Sequence, residues 1–307
     1  MTDSPGSDLP ETGGHPAFIG RSGAEPCSYS GRVALPVSLL SDFGHLDEFV
    51  GVVHGVIYRL SPDSRVIDIT HGVPAGDVRA GALALTRAIQ YLPPGVVMAV
   101  VDPGVGTTRR AIAAGTDFGF FLGPDNGLLS PAVAMMGGAH AINSIENPEV
   151  KIPGPGATFQ GRDVFAPAAA LLASGEAQLD DLGPPIDPAS VMPLMLPLPK
   201  VELTMVIGEA WWVDIYGNIE TNIGPDDLMV IGARPGQAVL VRIGAVEHEA
   251  TWVGTFGEVG DRELAVHVDS AGLMALAIRG GRADEELNAG PGMAVSFHLP
   301  ESGVAMK

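Results

Sequence analysis

Apolar runs and segments with helical spacing alternate along residues 33–183. Three apolar runs have the length expected of buried strands, at residues 36–40, 66–69 and 96–101. Between these runs, residues 49–60 and 78–91 carry apolar side chains at helical spacing, and Asp77 is placed to accept backbone N–H bonds at the start of the second helix. Because strands that alternate with helices usually form a parallel sheet covered on both faces, this pattern predicts an α/β N-terminal domain with a mainly parallel sheet.

The pattern changes at residues 184–200, where closely spaced prolines interrupt regular structure and predict a linker. Residues 201–307 contain short β-like runs separated by glycine-rich turns. These runs lie at residues 201–207, 238–243, 264–268, 274–278 and 294–299. They predict a smaller, all-β, barrel-like C-terminal domain. We expect residues 1–32 to form a disordered tail, because they are rich in Gly, Pro, Ser and acidic side chains and have few apolar groups to offset the entropy of ordering.

Composition limits the possible functions. A chain of 307 residues with 46% hydrophobic content can bury more than one core, which agrees with two domains. The formal net charge of −19, with 17 Lys and Arg, argues against binding to nucleic acid or to an anionic membrane and favours a small-molecule ligand. The single cysteine, Cys27, excludes a cysteine metal cluster within the chain and fits a reducing compartment. Since residues 1–14 lack a basic, apolar leader, we expect a cytoplasmic protein.

The densest candidate for chemistry is the loop of residues 102–110, Asp-Pro-Gly-Val-Gly-Thr-Thr-Arg-Arg, which follows the third apolar run. Its glycines allow a tight backbone path, so that the Asp102 carboxylate and the Arg109 guanidinium are held on one short loop. The loop lacks the Lys-Ser/Thr ending and the glycine spacing of a phosphate-binding P-loop. From these residues alone, a salt-bridged turn and a catalytic pair are equally compatible with the sequence.

Two further loops combine polar side chains with turn-forming residues. In residues 158–165, Gln160 is placed to face a ligand, whereas we expect Arg162 and Asp163 to pair and to fix the loop. Residues 123–127, Gly-Pro-Asp-Asn-Gly, are typical of a turn, and we predict a structural role for them.

In the C-terminal half, Asp214, Tyr216 and Asn218 place a carboxylate, an aromatic face and an amide within one turn. Such groups suit a nucleoside, since the ring can stack on a base while the polar groups bind its edge. The same residues also make a good hairpin turn. A nucleoside site and a plain turn both remain open at this point.

The predicted edge of the parallel sheet carries further acidic and imidazole groups. Four of them lie close to the ends of predicted strands, namely Asp42, Asp68, His71 and Asp102. Because ligands collect at that edge of such sheets, a metal-dependent hydrolase is compatible with this set. However, none of the eight histidines shows a metal-binding spacing, and we predict no metal site and a structural role for His71.

Several of these motifs occur together in a fixed order. They lie at residues 41–44 (Ser-Asp-Phe-Gly), 68–71 (Asp-Ile-Thr-His), 102–110, 123–128 and 158–165, with C-terminal signatures at 214–222 and 270–281. The ordered set resembles the S-adenosylmethionine hydroxide adenosyltransferases, a family of S-adenosylmethionine hydrolases related to the fluorinases and chlorinases. The resemblance runs from about residue 37 to residue 299 and is far more specific than any single loop.

The resemblance implies a fold, an assembly and a reaction. The fold is an α/β N-terminal domain followed by a β-barrel-like C-terminal domain, and the assembly is a homotrimer with sites between the N-terminal domain of one subunit and the C-terminal domain of the next. The reaction is hydrolysis of S-adenosyl-L-methionine to adenosine and L-methionine by attack of water at ribose C5′, without a cofactor or a metal ion. Asp102 and Arg109 would orient the water and assist its deprotonation.

The resemblance also assigns roles to single residues. The binding residues would be Asp42 (ribose hydroxyls), Asp47 (methionine end), Asp214 and Ser270 (amino-acid portion), Tyr216 (adenine face), Asn218 (adenine edge) and the Gly280 backbone (adenine pocket). At the position of a catalytic histidine in the family this chain has Gln160, which forms hydrogen bonds but cannot titrate. Three alternatives follow: Asp102 alone accepts the proton, turnover is slower and has a different pH profile from that of relatives with histidine, or the protein binds its ligand without turnover. A halogenase is disfavoured, because the Asp102 carboxylate would repel a halide.

Overall fold

The computed structural model describes residues 34–154 and 156–300. The predicted disordered tail, residues 1–32, lies outside the described residues. None of the helices within the described ranges is long and apolar enough to cross a membrane.

The first half of the described chain forms a six-stranded mixed sheet. Its strands are β1 (Val37–Ser41), β2 (Val66–Thr70), β3 (Gly95–Val100), β4 (Ala111–Thr116), β5 (Gly119–Pro124) and β6 (Ala141–Ser144). They are arranged in the order β2-β1-β3-β5-β4-β6, where β2, β1, β3 and β5 are parallel and β4 is antiparallel to both neighbours. The predicted mainly parallel sheet is confirmed. Its antiparallel part arises because β4 and β5 are joined by a two-residue turn, too short for a crossover connection.

Helices cover both faces of this sheet. In the described ranges they are α1 (Phe49–Leu60), α2 (Val78–Ile89), α3 (Ser130–Met135) and α4 (Ala166–Ser174). The first two match the predicted helices, and Asp77 caps α2 by accepting a backbone N–H bond of 2.9 Å, as expected. Since successive strand residues point to opposite faces, Leu39 and Met98 pack with α1 and α4, whereas Leu40 and Ala99 pack with α2 and α3.

The second half forms a closed β-barrel. Its strands are β8 (Met205–Val213), β9 (Ile219–Thr221), β10 (Ala238–Ile243), β11 (Val246–Trp252), β12 (Leu264–Val268), β13 (Met274–Ile278) and β14 (Ala294–His298), with a short β7 (Lys200–Val201) paired to β8. The order around the barrel is β8-β14-β10-β11-β12-β13-β9, and the pairing of β14 with β8 closes it. Two short helices, α5 (Pro225–Val230) and α6 (Ala283–Glu286), accompany these strands. The predicted barrel-like fold is confirmed.

The predicted linker, residues 184–200, contains a 3₁₀ turn at Pro188–Ser190 and otherwise runs irregularly until it reaches β7. Hydrogen bonds donated by backbone N–H groups of this segment nevertheless hold it against the first half of the chain. Ile186 N–H donates to the Ile142 carbonyl oxygen at 2.7 Å, and Leu194 N–H donates to Ser130 Oγ at 2.9 Å.

Helix α2 connects the first half of the chain to the barrel. Arg79 forms an ion pair with Glu209 on β8, and Arg87 lies 3.6 Å from the Glu220 carboxylate on β9. The Arg87 guanidinium also lies over the Trp212 ring, 5.2 Å from its centroid. One face of α2 therefore carries cations that meet acidic and aromatic side chains of the barrel.

Candidate active site

The predicted catalytic residues Asp102, Arg109 and Gln160 lie together beyond the end of β3. Arg109 Nε donates to Asp102 Oδ1 at 2.9 Å, and Arg109 Nη2 donates both to Asp102 Oδ2 and to Gln160 Oε1, the latter at 2.6 Å. The Asp102 and Arg109 side chains are only 6% and 11% exposed, so water screens their interaction weakly. Two partners therefore fix the orientation of the guanidinium. We call these three residues the Asp-Arg-Gln cluster.

The loop between Asp102 and Arg109 turns back on itself, which brings its two ends together. Thr107 Oγ1 donates to the Gly104 carbonyl oxygen at 2.6 Å, and the Thr107 N–H donates to the same oxygen at 3.1 Å. Gly106 has a φ of +79°, a conformation that favours glycine. The turn-forming residues of this loop thus determine where Arg109 meets Asp102.

Gln160 directly precedes one turn of π-helix, Gly161–Phe165, which leads into α4. Single π-helical turns insert an extra residue into a helix and are frequent at functional sites. Within this turn Arg162 Nε donates to Asp163 Oδ1 at 2.6 Å, so the pair that was expected to fix the loop is present. The π-helical turn therefore sets the position from which Gln160 reaches Arg109.

The loop of residues 123–127 also has the predicted structural role. Asn126 Nδ2 donates to the Val101 carbonyl oxygen at 2.9 Å, while Asn126 Oδ1 accepts the Leu128 N–H at 3.1 Å. Asp125 pairs with Arg110, the neighbour of Arg109. This loop therefore supports the end of β3 and the loop that carries the cluster.

A small cavity of about 60 Å³ adjoins the Asp-Arg-Gln cluster. Its lining residues are Asp42, Phe43, Val100, Asp102, Val105, Thr158, Phe159, Gln160 and Gly161. Asp42 directly follows β1, and its Oδ2 accepts the Gly76 N–H at 2.7 Å. The cavity has room for water, whereas pockets for small organic ligands measure roughly 300–1,000 Å³. One chain thus offers space for a water molecule beside the cluster but not for a larger ligand.

Three phenylalanines form an aromatic wall beside this cavity. Phe43 and Phe159 lie edge to face with their ring centroids 5.8 Å apart, and Phe49 lies 5.0 Å from Phe159 in the same arrangement. Sequence patterns gave no signal for these residues as part of the site, although Phe43 and Phe159 lie within the motifs that carry Asp42 and Gln160. An apolar wall lowers the local dielectric and strengthens the electrostatic interactions of the cluster.

A second group of predicted residues, Asp214, Asn218 and Ser270, lies around a barrel cavity of about 260 Å³. Asp214 Oδ1 accepts the N–H of Tyr216 at 2.8 Å and that of Asn218 at 2.9 Å, so the predicted turn is present. Asp214 Oδ2 accepts from Asn218 Nδ2 at 2.8 Å. The Tyr216 side chain is 70% exposed, and Gly280 lies in another turn, beyond β13.

The barrel cavity also contains titratable residues that the sequence analysis did not select, namely Glu220, His267 and Asp269. Burial raises the pKa of Glu220, while Arg87 opposes the shift. Burial lowers the pKa of His267, against the attraction of Asp269. With Asp214, three carboxylates line the cavity, so it suits a cationic ligand.

The predicted site residues therefore fall into two groups within one chain. The cavity at the Asp-Arg-Gln cluster and the barrel cavity have no lining residue in common. Asp47 is exposed in the turn before α1 and lines neither cavity.

The sheet-edge groups that suggested a metal-dependent hydrolase do not share one site. Asp42 binds the Gly76 N–H and Asp102 binds Arg109, whereas Asp68 and His71 meet a third residue, His54. His54 lies on α1, and the sequence offered no spacing signal for it. Burial acts to raise the pKa of Asp68, but its interactions with His71 and His54 outweigh this effect and lower it.

Comparisons with known proteins agree with this architecture. Family models described as the N-terminal and C-terminal domains of SAM hydroxide adenosyltransferase match residues 37–183 and 208–296. A curated relative from Salinispora tropica, named (R)-S-adenosyl-L-methionine hydrolase, is 46% identical over 259 residues, which cover 83% of this chain and 95% of the relative. The fluorinase of Nocardia brasiliensis is 28% identical over 269 residues, which cover 78% of this chain and 89% of the fluorinase.

A solved structure supports the same relationship. The crystal structure of an uncharacterized conserved protein from Thermotoga maritima has a TM-score of 0.80 and 38% identity to this chain, and the match covers 85% of this chain and 99% of that protein. The matched family models span most of both halves of the fold, and they include the Asp-Arg-Gln cluster as well as Asp214, Asn218 and Ser270. The chain belongs to the SAM hydroxide adenosyltransferase family, and the fluorinases are more distant relatives of it.

Proposed function

We propose that this protein hydrolyses S-adenosyl-L-methionine to adenosine and L-methionine. The observation that carries the proposal is the Asp-Arg-Gln cluster, a carboxylate and a guanidinium held together beside a cavity large enough for water. The relative from Salinispora tropica supports the substrate, since it is named a hydrolase of the (R) form of this sulfonium compound.

In the proposed reaction, water attacks the ribose C5′ while the bond from C5′ to sulfur breaks. The electron pair of that bond remains on sulfur, so that the cationic sulfonium leaves as the neutral thioether of methionine. Water is the weak partner in this displacement, and its proton must be removed as the new C–O bond forms. Asp102 is the acceptor for that proton, a role that typically contributes about 10²- to 10⁴-fold to the rate.

Arg109 has two functions in this proposal. Its guanidinium holds both Asp102 oxygens, which fixes the proton acceptor, and its positive charge stabilises the developing hydroxide. Gln160 accepts a hydrogen bond from Arg109 Nη2, the nitrogen that also binds Asp102 Oδ2, and so gives the guanidinium a second point of restraint. Because an amide does not titrate, the proton passes through Asp102 rather than through residue 160.

We further propose that the complete substrate site forms between two copies of the chain in a homotrimer. In support, the 60 Å³ cavity is too small for the substrate, and the exposed Asp47 and Tyr216 side chains are free to meet a neighbour. The binding roles are those given above for Asp42, Asp47, Asp214, Tyr216, Asn218, Ser270 and Gly280. The acidic barrel cavity would attract the cationic amino and sulfonium groups of the substrate. This displacement needs no cofactor. A cytoplasmic location remains a prediction from the sequence.

Product analysis tests the reaction. Purified protein is incubated separately with the (R) and (S) sulfonium epimers of S-adenosyl-L-methionine. Each epimer is tested under four conditions, with and without a chelator and with and without chloride. The nucleosides are then separated and identified by mass. Adenosine and methionine under all four conditions, from at least one epimer, are expected. A 5′-chloroadenosine product would instead indicate a halogenase. Loss of product in the presence of the chelator would indicate metal-dependent hydrolysis. Binding without product would indicate a non-catalytic binder.

Complementation between subunits tests the shared site. Asp102→Ala alters only the Asp-Arg-Gln cluster, and Asn218→Ala alters only the lining of the barrel cavity. If each site combines one group from each of two neighbours, coexpression of the two inactive variants in mixed trimers restores a measurable fraction of wild-type activity. Mixed trimers without activity, while each variant is folded, would contradict a shared site.

A further inference from the structure

Two histidines and an aspartate meet at the edge of the sheet, outside the Asp-Arg-Gln cluster. His54 comes from α1, Asp68 from β2, and His71 from the position directly after β2. We propose that these three residues, here called the His-Asp-His cluster, bind a transition-metal cation of the Zn²⁺ type. The ion has no part in the hydrolysis proposed above.

The donor atoms of the His-Asp-His cluster have the spacing of ligands on one ion. Asp68 Oδ1 lies 2.8 Å from His54 Nε2 and 3.1 Å from His71 Nε2, and the three atoms all lie within 4.8 Å of one another. In a tetrahedral site with metal–ligand bonds of about 2.0–2.2 Å, the ligand atoms lie roughly 3.3–3.6 Å apart, so only small side-chain shifts separate the observed contacts from those of a bound ion. All three residues are held by a helix or by the end of a strand, so the arrangement depends on rigid elements.

The environment of His71 provides an independent indication. Its side chain is completely buried, and Nδ1 lies 2.7 Å from Ser41 Oγ. Nε2, which faces Asp68, has no well-aligned hydrogen bond with any described residue. Metal-binding histidines typically have this arrangement, in which a hydrogen bond at one ring nitrogen leaves the other free for the ion. The contact between this buried ring nitrogen and the Asp68 carboxylate is poorly aligned, and a cation bound by both groups would satisfy them better.

The donor types indicate which metals fit. Two imidazole nitrogens and one carboxylate suit Zn²⁺, Co²⁺ or Ni²⁺, whereas Mg²⁺ and Ca²⁺ prefer sites made of oxygen atoms. The His54 and Asp68 side chains are 25% and 41% exposed, so the ion can enter from solvent and water can complete its coordination. The ion would tie α1 to β2 and, through the bond between His71 and Ser41, to the end of β1. Its expected effect is to stabilise this edge of the sheet.

Metal titration of the full-length protein tests the proposal. After treatment with a chelator and its removal, the protein is titrated with Co²⁺, followed by visible absorption, and with Zn²⁺, followed by calorimetry. We expect one ion per chain with a Kd in the micromolar range or tighter, and a Tm that rises with the concentration of Zn²⁺. His54→Ala is the main variant, because His54 is partly exposed and its truncation leaves the buried His71 in place. It should weaken Zn²⁺ binding at least about tenfold.

His140→Ala is the matched control, since it removes an exposed histidine at another position of the fold. Its affinity and stoichiometry should equal those of the wild type. Asp68→Asn, which preserves the shape of the side chain, should weaken binding as His54→Ala does. Binding weaker than millimolar, or equal affinities in His54→Ala, His140→Ala and the wild type, would overturn the proposal and leave the cluster as a polar contact.

Discussion

Replacing Arg109 with lysine separates the geometry of the guanidinium from its charge. In the folded protein Arg109 holds Asp102 through two nitrogens and Gln160 through one of them. A lysine keeps the positive charge but cannot bridge the two carboxylate oxygens and the amide at once. Of the three hydrogen bonds, two are therefore expected to be lost.

The expected magnitude follows from those two bonds. A hydrogen bond to a charged group contributes about 1.5–3 kcal/mol, and the 6% and 11% exposure of the pair prevents water from replacing it fully. If about half of the lost energy acts on the transition state, the barrier rises by about 1.5–3 kcal/mol and kcat falls about 10- to 150-fold. KM should change less than about threefold, because Arg109 acts on the water rather than on the substrate.

The assay compares Arg109→Lys with Arg110→Lys. Arg110 lies on the same loop, but it pairs with Asp125 and with Ser190 of the linker. Steady-state adenosine formation gives kcat and KM, and thermal unfolding shows that both variants are folded. The control should retain kcat within about threefold. A folded Arg109→Lys enzyme with an unchanged kcat would refute the proposed role of Arg109. An equal loss of kcat in Arg110→Lys would show that turnover depends on the integrity of the loop rather than on the Arg109 guanidinium.

Three further predictions concern the catalytic site, the barrel cavity and the sheet. Gln160→His should retain or raise kcat and add a pH dependence of kcat near the ordinary histidine pKa of about 6.5. A fall in kcat of more than about tenfold would show that the Gln160 amide has a role of its own. Burial raises the pKa of Glu220, so its stabilising contribution is present at low pH and is lost as pH rises through that raised value. Glu220→Gln should therefore match the wild-type Tm near about pH 4 and exceed it near about pH 7.5, and an equal difference at both pH values would contradict this reasoning. Gly119→Ala should lower the free energy of unfolding by at least about 3 kcal/mol in urea titrations, because its Cβ would overlap the Gly95 carbonyl oxygen. The control, Gly137→Ala, also has a positive φ but lies in open space, and it should lower the free energy of unfolding by only about 1 kcal/mol.

Local sequence signals predicted that Asp102 and Arg109 meet on one short loop, whereas the resemblance to the family assigned them a role in catalysis. The loop of residues 102–110 carries its own turn, and that turn alone brings Arg109 back towards Asp102. The third residue of the cluster, Gln160, was assigned from the family motifs rather than from local rules, since it lies 51 residues further along the chain than Arg109. Where a functional contact is made within one loop, the order of residues is sufficient to predict it.

The barrel shows the limit of reasoning from periodicity. Strands with continuous apolar content were predicted, whereas β9 and β11 were not. The first has only three residues, and the second, Val-Glu-His-Glu-Ala-Thr-Trp, begins with exposed residues and has only Ala250 and Trp252 buried. Strands with so few buried apolar side chains leave little trace in hydrophobic patterning.

Local patterns along the chain were enough to predict the alternation of strands and helices, the Asp77 cap, the turn that joins Asp102 to Arg109 and the family. The folded structure was needed to show that β4 runs antiparallel, that β14 pairs with β8 to close the barrel, and that His54 meets Asp68 and His71. This division arises because apolar periodicity records which side of an element is buried, and turn residues record where the chain bends. Neither records which distant element provides the contact, because that choice depends on how all the buried surfaces pack together.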